Sequence, residues 1–356
     1  MNDDIARLIA SPVSFLADSG PDDDIAISSR IRLARNLADR VFIEACEPAQ
    51  LREIGTEIAN AAVASGALGC PECFDFKLEE LDELDQEVLF ERRLASRDLL
   101  GRPAGARLLI RPDESCSIMI NEEDHLRIQA LRPGFQLDAV WKEIDQLDNQ
   151  LASKLEYAFD DHLGYLTSCP TNVGTGMRAS VMLHLPGLTL SGELTSTVQG
   201  ITKLGFAVRG IAGEGSDNRG NLFQISNQST LGESEIDIIA HLSQVISSLI
   251  AHEKKARRKL LEEEQATLLD WVGRSYGTLR FAYVLSTADA LNALSGLRLG
   301  VDLGMFKKLN IHTVNELFRE IHSAHLQKKA GSPLSPEDRD IARAALCRKR
   351  LAHLDN

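Results

Sequence analysis

The sequence predicts an α+β region followed by an all-helical one. Three observations carry this reading. Between Ile25 and Asn227, segments that alternate apolar and polar residues are interleaved with amphipathic helical segments. Several strand-like segments follow one another across short turns, as in a meander, and not as repeated strand–helix–strand units. From Glu233 onward the pattern is wholly helical.

Residues 1–24 are polar, with Pro12, Pro21 and the run Asp22-Asp23-Asp24, and read as an arm or a short leading helix. Ile25–Leu37 alternates as a strand that puts Arg30 and Arg32 on one face. Gln50–Ser65 has helical spacing, and Leu78–Leu100 carries leucines and charges in helical register. Gly101–Gly105 is a turn. Arg107–Arg111 and Ser115–Asn121 then read as paired strands joined by Pro112-Asp113-Glu114. Gln136–Tyr157 is a long amphipathic helix, Tyr165–Ser168 a strand, Leu194–Lys203 a helix and Phe206–Ile211 a strand. A glycine-rich polar loop, Ala212–Gly220, precedes a strand over Asn221–Asn227. The basic run Lys254–Lys259 followed by Glu262-Glu263-Glu264 predicts a continuous solvated helix. Further helices are expected at about 287–299, 312–329 and 336–354.

The chain has 356 residues, 44% hydrophobic and 26% charged, with a net charge of −13. Such an acidic chain is a poor candidate for general nucleic-acid or anionic-membrane binding. It has no apolar run that could span a bilayer. The N-terminal MNDDIARLIA carries acids where a signal peptide carries bases. A cytoplasmic protein is expected, with its six cysteines (46, 70, 73, 116, 169 and 347) reduced. Cys70-Pro71-Glu72-Cys73 has no second ligand pair nearby, so it reads as two loop cysteines and not as a zinc site.

The chemistry concentrates in four places. Arg30 and Arg32 share a strand face, where they repel unless an anion sits between them. Asn121-Glu122-Glu123-Asp124-His125 crowds three acids and a histidine at a strand end, which suits a cationic substrate or a metal. Thr167–Leu185 packs Cys169, Gly174, Gly176 and Arg178 closely together. Arg209 precedes the glycine-rich loop and Glu214 lies at its start. There is no GxxxxGK[ST] and no HRD…DFG set, which argues against a P-loop and a eukaryotic-type protein kinase. Gly174–Ala179 matches GxGxxA, but Pro170 and the meander-like strands argue against a dinucleotide fold. Arginines suit a polyphosphate and carboxylates a cation, so one site holding both would bind a nucleotide beside a positively charged acceptor.

Taken together, SSRIRLARNL, NEEDHLRIQ, SCPTNVGTGMRASV and RGIAGEG resemble the consecutive motifs of the phosphagen kinases, whose specific signature is CPTNxGTG. Order and spacing agree from about residue 25 to about 250. Arg339-Asp340-Ile341-Ala342-Arg343-Ala344 is similar to the RDxxRA motif of the bacterial protein arginine kinases, the McsB branch. With the SSRIR strand so early, the helical domain that precedes the catalytic one in kinases of free metabolites is not expected.

The resemblance implies a phosphagen-kinase-type catalytic domain, mainly an antiparallel sheet flanked by helices, over 25–252. An arm over 1–24 precedes it. A helical domain over 253–356, for dimerisation and phosphoarginine sensing, follows. It implies ATP and Mg²⁺ as cofactors, the ion held mostly through nucleotide oxygens and water, so that no protein metal site is expected. Ser28, Ser29, Arg30, Ile31, Arg32, Arg127, Arg178, Ala179, Ser180, Val181, Met182, Arg209, Gly210, Ile211, Ala212 and Gly213 would line the nucleotide. Glu123 and Glu214 would clamp the acceptor guanidinium, Glu123 acting as base, with Cys169 against it. Arg339, Asp340, Arg343 and Ala344 would form an allosteric phosphoarginine pocket. Two departures stand out: Arg93 takes the place of a histidine that contacts nucleotide in the family, and is left out of the expected site, and Ala212 replaces a larger residue.

The implied reaction is phosphorylation of exposed arginines in proteins, marking them for ClpC–ClpP type degradation in stress response. A homodimer, an McsA-type activator and a ClpC-type unfoldase are the implied partners. The alternatives are a kinase of free arginine or another small guanidino compound, and a silent phosphoarginine-binding regulator. The intact pair Glu123 and Glu214 argues against the last.

Overall fold

The computed structural model describes residues 3–11, 18–102, 104–210 and 219–352. Its centre is an eight-stranded sheet in the order β2-β3-β4-β5-β1-β8-β10-β9. The strands are β1 (Ala26–Arg35), β2 (Phe74–Lys77), β3 (Arg107–Ile110), β4 (Cys116–Ile120), β5 (Leu126–Pro133), β8 (Met177–His184), β9 (Phe206–Gly210) and β10 (Leu222–Asn227). Every pairing is antiparallel. A two-stranded hairpin, β6 (Phe159–Asp160) with β7 (Gly164–Tyr165), stands apart.

Alternation along β1 divides the sheet into two chemistries. Ile31 and Leu33 face the main core with Ile128, Ala130, Ala179, Val181 and Ile225. The helices Pro48–Ser65, Leu137–Ala152 and Glu235–Glu263 cover that face with their apolar stripes. A second cluster joins the leading helix Asp3–Ala10, the helix Glu83–Glu91 and strands β2 to β4, and takes in Ala324 from the helical region. A third joins the helices Gln265–Phe281, Thr287–Asp302, Ile311–Glu320 and Pro336–Leu351; the helix Ser323–Ala330 lies between the last two in the chain and contributes to the second cluster instead. Among the described residues no helix is long and apolar enough to cross a membrane.

The structure departs from the sequence reading at six places. Leu78–Leu100 is broken, because Asp82 and Ser96 each accept a backbone N–H and start the separate helices Glu83–Glu91 and Arg97–Leu100. Phe74–Lys77 was not anticipated as a strand; its length of four residues leaves little alternation to read. Tyr165–Ser168 pairs only at Tyr165, since the Ser168 N–H is taken by Asp124 Oδ1 at 2.7 Å. The helix expected over 312–329 is interrupted at Ile321–His322, where a new first turn is capped from outside by Glu91. The helix Glu235–Glu263 is continuous, but Glu253 and Arg257 on it are buried and not solvated. Glu253 accepts the N–H groups of Gly187 and Leu188 at 2.8 and 2.9 Å, and pairs with Arg257. Cys70 and Cys73 are joined as a disulfide and not reduced as expected; their turn brings the Cα atoms to 4.6 Å, a spacing that a disulfide spans.

Candidate active site

Strand register assembles the site. Arg30 on β1 lies opposite Leu131 of β5 and Ser180 of β8. Arg32 lies opposite Gln129 and Arg178, and Ala34 opposite Arg127. On the next strands Gln224 faces Met182 and Arg209. Directly opposed residues point to the same side of a sheet. Arg30, Arg32, Arg127, Arg178 and Arg209 therefore share the face opposite the core, with Ser28, Ser180 and Met182. Ser29, Ile31, Ala179 and Val181 alternate to the other side, so only their backbone borders the arginines. The Ser29 hydroxyl donates to Gly134 O at 2.9 Å and accepts from Gln136 N at 3.0 Å, which fixes the start of the helix Leu137–Ala152. Gly210 ends β9 opposite Phe223. Ile211, Ala212, Gly213 and Glu214 lie outside the described residues.

The crowding of guanidiniums is visible in their protonation. Burial, then the charges of Arg93, Arg127 and Arg178, push Arg30 down to about 9. Burial, with the charges of Arg30, Arg127 and Arg178, holds Arg32 below the ordinary arginine range, and burial with Arg127 and Arg209 does the same to Arg178. Among the described residues Glu122, Glu123 and Cys169 pull in the opposite direction. The Nε–H groups of Arg32, Arg127 and Arg178 are buried without a hydrogen-bond partner. Buried donors left unmade are costly, and three of them on one basic face fit a polyanion with several acceptor oxygens.

Arg93 belongs to this cluster, although sequence reasoning left it out. It follows the helix Glu83–Glu91 with φ of 64°, and its carbonyl accepts from Gln129 Nε2 at 2.9 Å. Burial lowers its pKa to about 10. The signal was present in the substitution itself, an arginine where a nucleotide-contacting histidine is common.

The acidic run at the end of β4 separates into one open group and four structural ones. Asn121 donates to Leu51 O and Gly105 O, both at 2.8 Å. Glu122 is bonded by Ser96 and by Arg127 Nη1. Asp124 Oδ1 accepts from Asn36 Nδ2 and Ser168 N, both at 2.7 Å. His125 accepts from Leu37 N through Nδ1 and contacts Val41 O through Nε2, and burial lowers its pKa. Glu123 remains: its side chain is 39% exposed against 2% for Glu122, and it lies 3.6 Å from Arg127 Nη1. The expectation of a multi-carboxylate site is thereby narrowed to a single available carboxylate among the described residues.

Cys169 sits on the loop between β7 and β8. Its Sγ is 3.0 Å from Thr171 Oγ1, and Asn172 Nδ2 donates to Glu123 at 3.3 Å. Two glycines make this loop possible. Gly174 has φ of 110°, and a Cβ there would lie 2.2 Å from Thr230 O. At Gly176, φ is 64° and a Cβ would lie 2.6 Å from Ala34 O. The loop is thus pinned between the end of β1 and Thr230, which brings Cys169, Glu123 and Arg178 together.

The RDxxRA segment lies on the last helix, Pro336–Leu351. Arg343 is buried and donates to Ile321 O, Leu285 O and Asp340. Ala344 is packed in the helical core. Contrary to the expectation that both arginines are available to a ligand, Arg343 is largely committed to the fold, and Arg339 is the more open of the two.

The geometry can be set beside known proteins. The family model of the ATP:guanido phosphotransferase C-terminal catalytic domain matches residues 67–256, and that of the protein-arginine kinase McsB C-terminal domain matches 265–356. A protein-arginine kinase of Halothermothrix orenii is 44% identical, over 95% of this chain and 96% of its own. One of Bacillus cereus is 46% identical, over 95% of each chain. The solved structure of lombricine kinase has a TM-score of 0.57 at 23% identity, covering 69% of this chain and 70% of that one. The duplicated taurocyamine kinase from Schistosoma mansoni has 0.58 at 24%, covering 74% and 41%. These two likenesses concern the fold, which is the phosphagen-kinase one. The relatives and the two family models together place this chain among the protein-arginine kinases of the ATP:guanido phosphotransferase family.

Proposed function

We propose that the arginine face binds the triphosphate of ATP and that Glu123 prepares the guanidinium of a protein arginine for attack on the γ-phosphorus. The observation that carries this reading is the register that puts Arg30, Arg32, Arg127, Arg178 and Arg209 on one face, with Glu123 at its edge. Phosphoryl transfer chiefly needs positioning and charge neutralisation, and guanidiniums supply both to phosphate oxygens. Mg²⁺ would be carried on the nucleotide's own oxygens, since the donors of this face suit phosphate and not a cation, and it would neutralise charge between the phosphates.

An acceptor guanidinium is protonated at neutral pH and a poor nucleophile. Glu123 would accept a hydrogen bond from one of its N–H groups and take that proton as the N–P bond forms and the bond from phosphorus to the ADP oxygen breaks. Glu122 cannot share this task, being bonded to Ser96 and Arg127. Glu214 would supply the second carboxylate of the clamp. Cys169, next to Arg178, would lie against the guanidinium.

The division into an arm over 1–24, a catalytic domain over 25–252 and a helical domain over 253–356 is part of the same reading, with one helix, Glu235–Glu263, running across its second boundary. Arg339 and Asp340 would receive phosphoarginine, with Arg343 holding Asp340 in place. Exposed Phe281, Tyr283, Val284 and Ile341 support a homodimer through the helical domain. A cytoplasmic location, an McsA-type activator, and delivery of marked proteins to a ClpC-type unfoldase in stress response complete the proposal.

The test is incubation of the full chain with ATP, Mg²⁺ and an unfolded protein, with phosphoarginine read by mass spectrometry under conditions that spare the acid-labile bond. Phosphoarginine on the protein is the expected product. Product on free arginine alone would overturn the assignment of protein substrates.

A further inference from the structure

Three consecutive residues, Glu91, Arg92 and Arg93, go to three different places. Glu91 leaves the catalytic fold and caps the helix Ser323–Ala330: Oε1 accepts from Ala324 N at 2.8 Å, and Oε2 accepts from His325 N at 3.0 Å and Nδ1 at 2.7 Å. Both side chains are buried, 5% and 2% exposed, so water offers no substitute partner. Arg92 pairs with Glu114 at the β3–β4 turn and reaches Ser11 O at 3.2 Å. Arg93 turns back in the left-handed region toward Arg30.

The Glu91 joint is not the only tie between the two helices. Lys328 pairs with Asp85 at 2.5 Å, and Ala324 packs in the cluster that holds Val88 and Leu89. Yet only Glu91 lies within two residues of the arginine cluster. Arg93 has a strained backbone conformation of the kind that persists when its surroundings over-determine it. One side of that determination is Gln129, on the arginine face. The other is the end of the helix Glu83–Glu91, whose last residue is fixed by the helical region.

From this we infer that Glu91 is a positioning residue for phosphoryl transfer: by fastening its helix to the Ser323–Ala330 helix, it holds Arg93 against the phosphate-binding arginines. The inference rests on the reading of the arginine face as the nucleotide site. No carboxylate among the described residues pairs with Arg93, so its charge is available to a phosphate oxygen. The helical region thereby supports one wall of the site without itself touching the nucleotide.

The experiment measures ATP affinity of the full chain by calorimetry, alongside unfolding in denaturant. Glu91→Gln and Arg93→Gln should each weaken ATP binding about tenfold, the scale of one charge-assisted hydrogen bond. The double variant should bind no worse than the weaker single one, because Glu91 acts through Arg93. A merely structural joint would lower stability and leave affinity alone, or give effects that multiply in the double variant; either result overturns the inference. If Glu91→Gln does not fold, His325→Asn and His325→Ala carry the test. The asparagine keeps a donor toward Glu91 and should bind ATP within about twofold of the parent, while the alanine should show the full loss. Equal affinities in these two variants would overturn the inference as well. Arg178→Gln separates the two levels. Unchanged affinity there would sink the nucleotide-site reading itself, whereas a loss there with none in Glu91→Gln and Arg93→Gln would sink only this inference.

Discussion

The two adjacent acids Glu122 and Glu123 have identical chemistry and opposite fates. Glu122 is spent on Ser96 and Arg127, while Glu123 keeps an oxygen toward solvent beside Arg127 and Asn172. Glu123→Gln should therefore lower kcat by about 10²-fold or more, the usual contribution of a positioned base, and leave ATP affinity within about twofold. Ser29→Ala should do the reverse. It removes one buried and one partly buried hydrogen bond at the start of the helix Leu137–Ala152 and should cost about 1–3 kcal/mol of stability with little change in the KM for ATP. Denaturant unfolding and steady-state kinetics on the two variants check both outcomes. Glu123 was legible in the sequence through its motif; the withdrawal of Glu122 was not, because its partner Ser96 lies 26 residues away. The inward turn of Ser29 was legible, since alternation that puts Arg30 and Arg32 on one face puts Ser29 on the other. A motif match reads a run of residues as one unit, and so passes over that alternation.

At the scale of elements, the strands that meet the arginine face were readable because alternation is strong where one face is buried and the other charged. The interruption at Ile321–His322 was not readable, because its cause is a carboxylate from the other region of the chain. Several joints between elements are made by buried histidines. The buried His125, His184 and His325, and the half-buried His322, are all held below the ordinary imidazole range, chiefly by desolvation, and His325 falls to about 3. The folded chain keeps these rings neutral where the unfolded chain protonates them. Below about pH 6.5 the unfolded state thus binds more protons, and stability falls with pH by up to about 1.4 kcal/mol per histidine per unit. Asp302, raised to about 6, and Glu91, also raised, act in the opposite sense, two groups against four. The denaturation midpoint should accordingly be lower at pH 5.5 than at pH 7.5, and the imidazole resonances of His184 and His325 should not titrate between them in the folded protein. A midpoint that rises on acidification would contradict this.

For the whole molecule, the boundary between its regions is not a linker. One helix, Glu235–Glu263, packs on the sheet and carries on toward the helical region. Arg298 of that region reaches back to Asp23 O and Asp24 O, and Gly220 N donates to Asn292 at 2.9 Å. The α+β-then-helical order was legible from periodicity alone; this interlocking was not, because it depends on single long-range bonds. On the outer side of the helical region, Phe281, Tyr283, Val284 and Ile341 are 63%, 76%, 61% and 49% exposed. The bond from Leu285 N to Asp340 O holds the two segments that carry them side by side. If this is the dimer surface, Ile341→Glu should shift the chain to a monomer in light scattering after size exclusion, with the melting temperature of the fold retained. A dimer that persists would move the interface elsewhere.

The basic face of the sheet also has a consequence at the bench. Guanidiniums with unmet donors do not distinguish the phosphates of ATP from other oxyanions of similar size. Inorganic phosphate or sulfate in the solvent would compete for the same donors, and so would an anionic buffer. Apparent ATP affinities measured in phosphate and in a zwitterionic buffer should therefore differ, and a ligand-free preparation would be steadier in sulfate than in chloride at equal ionic strength.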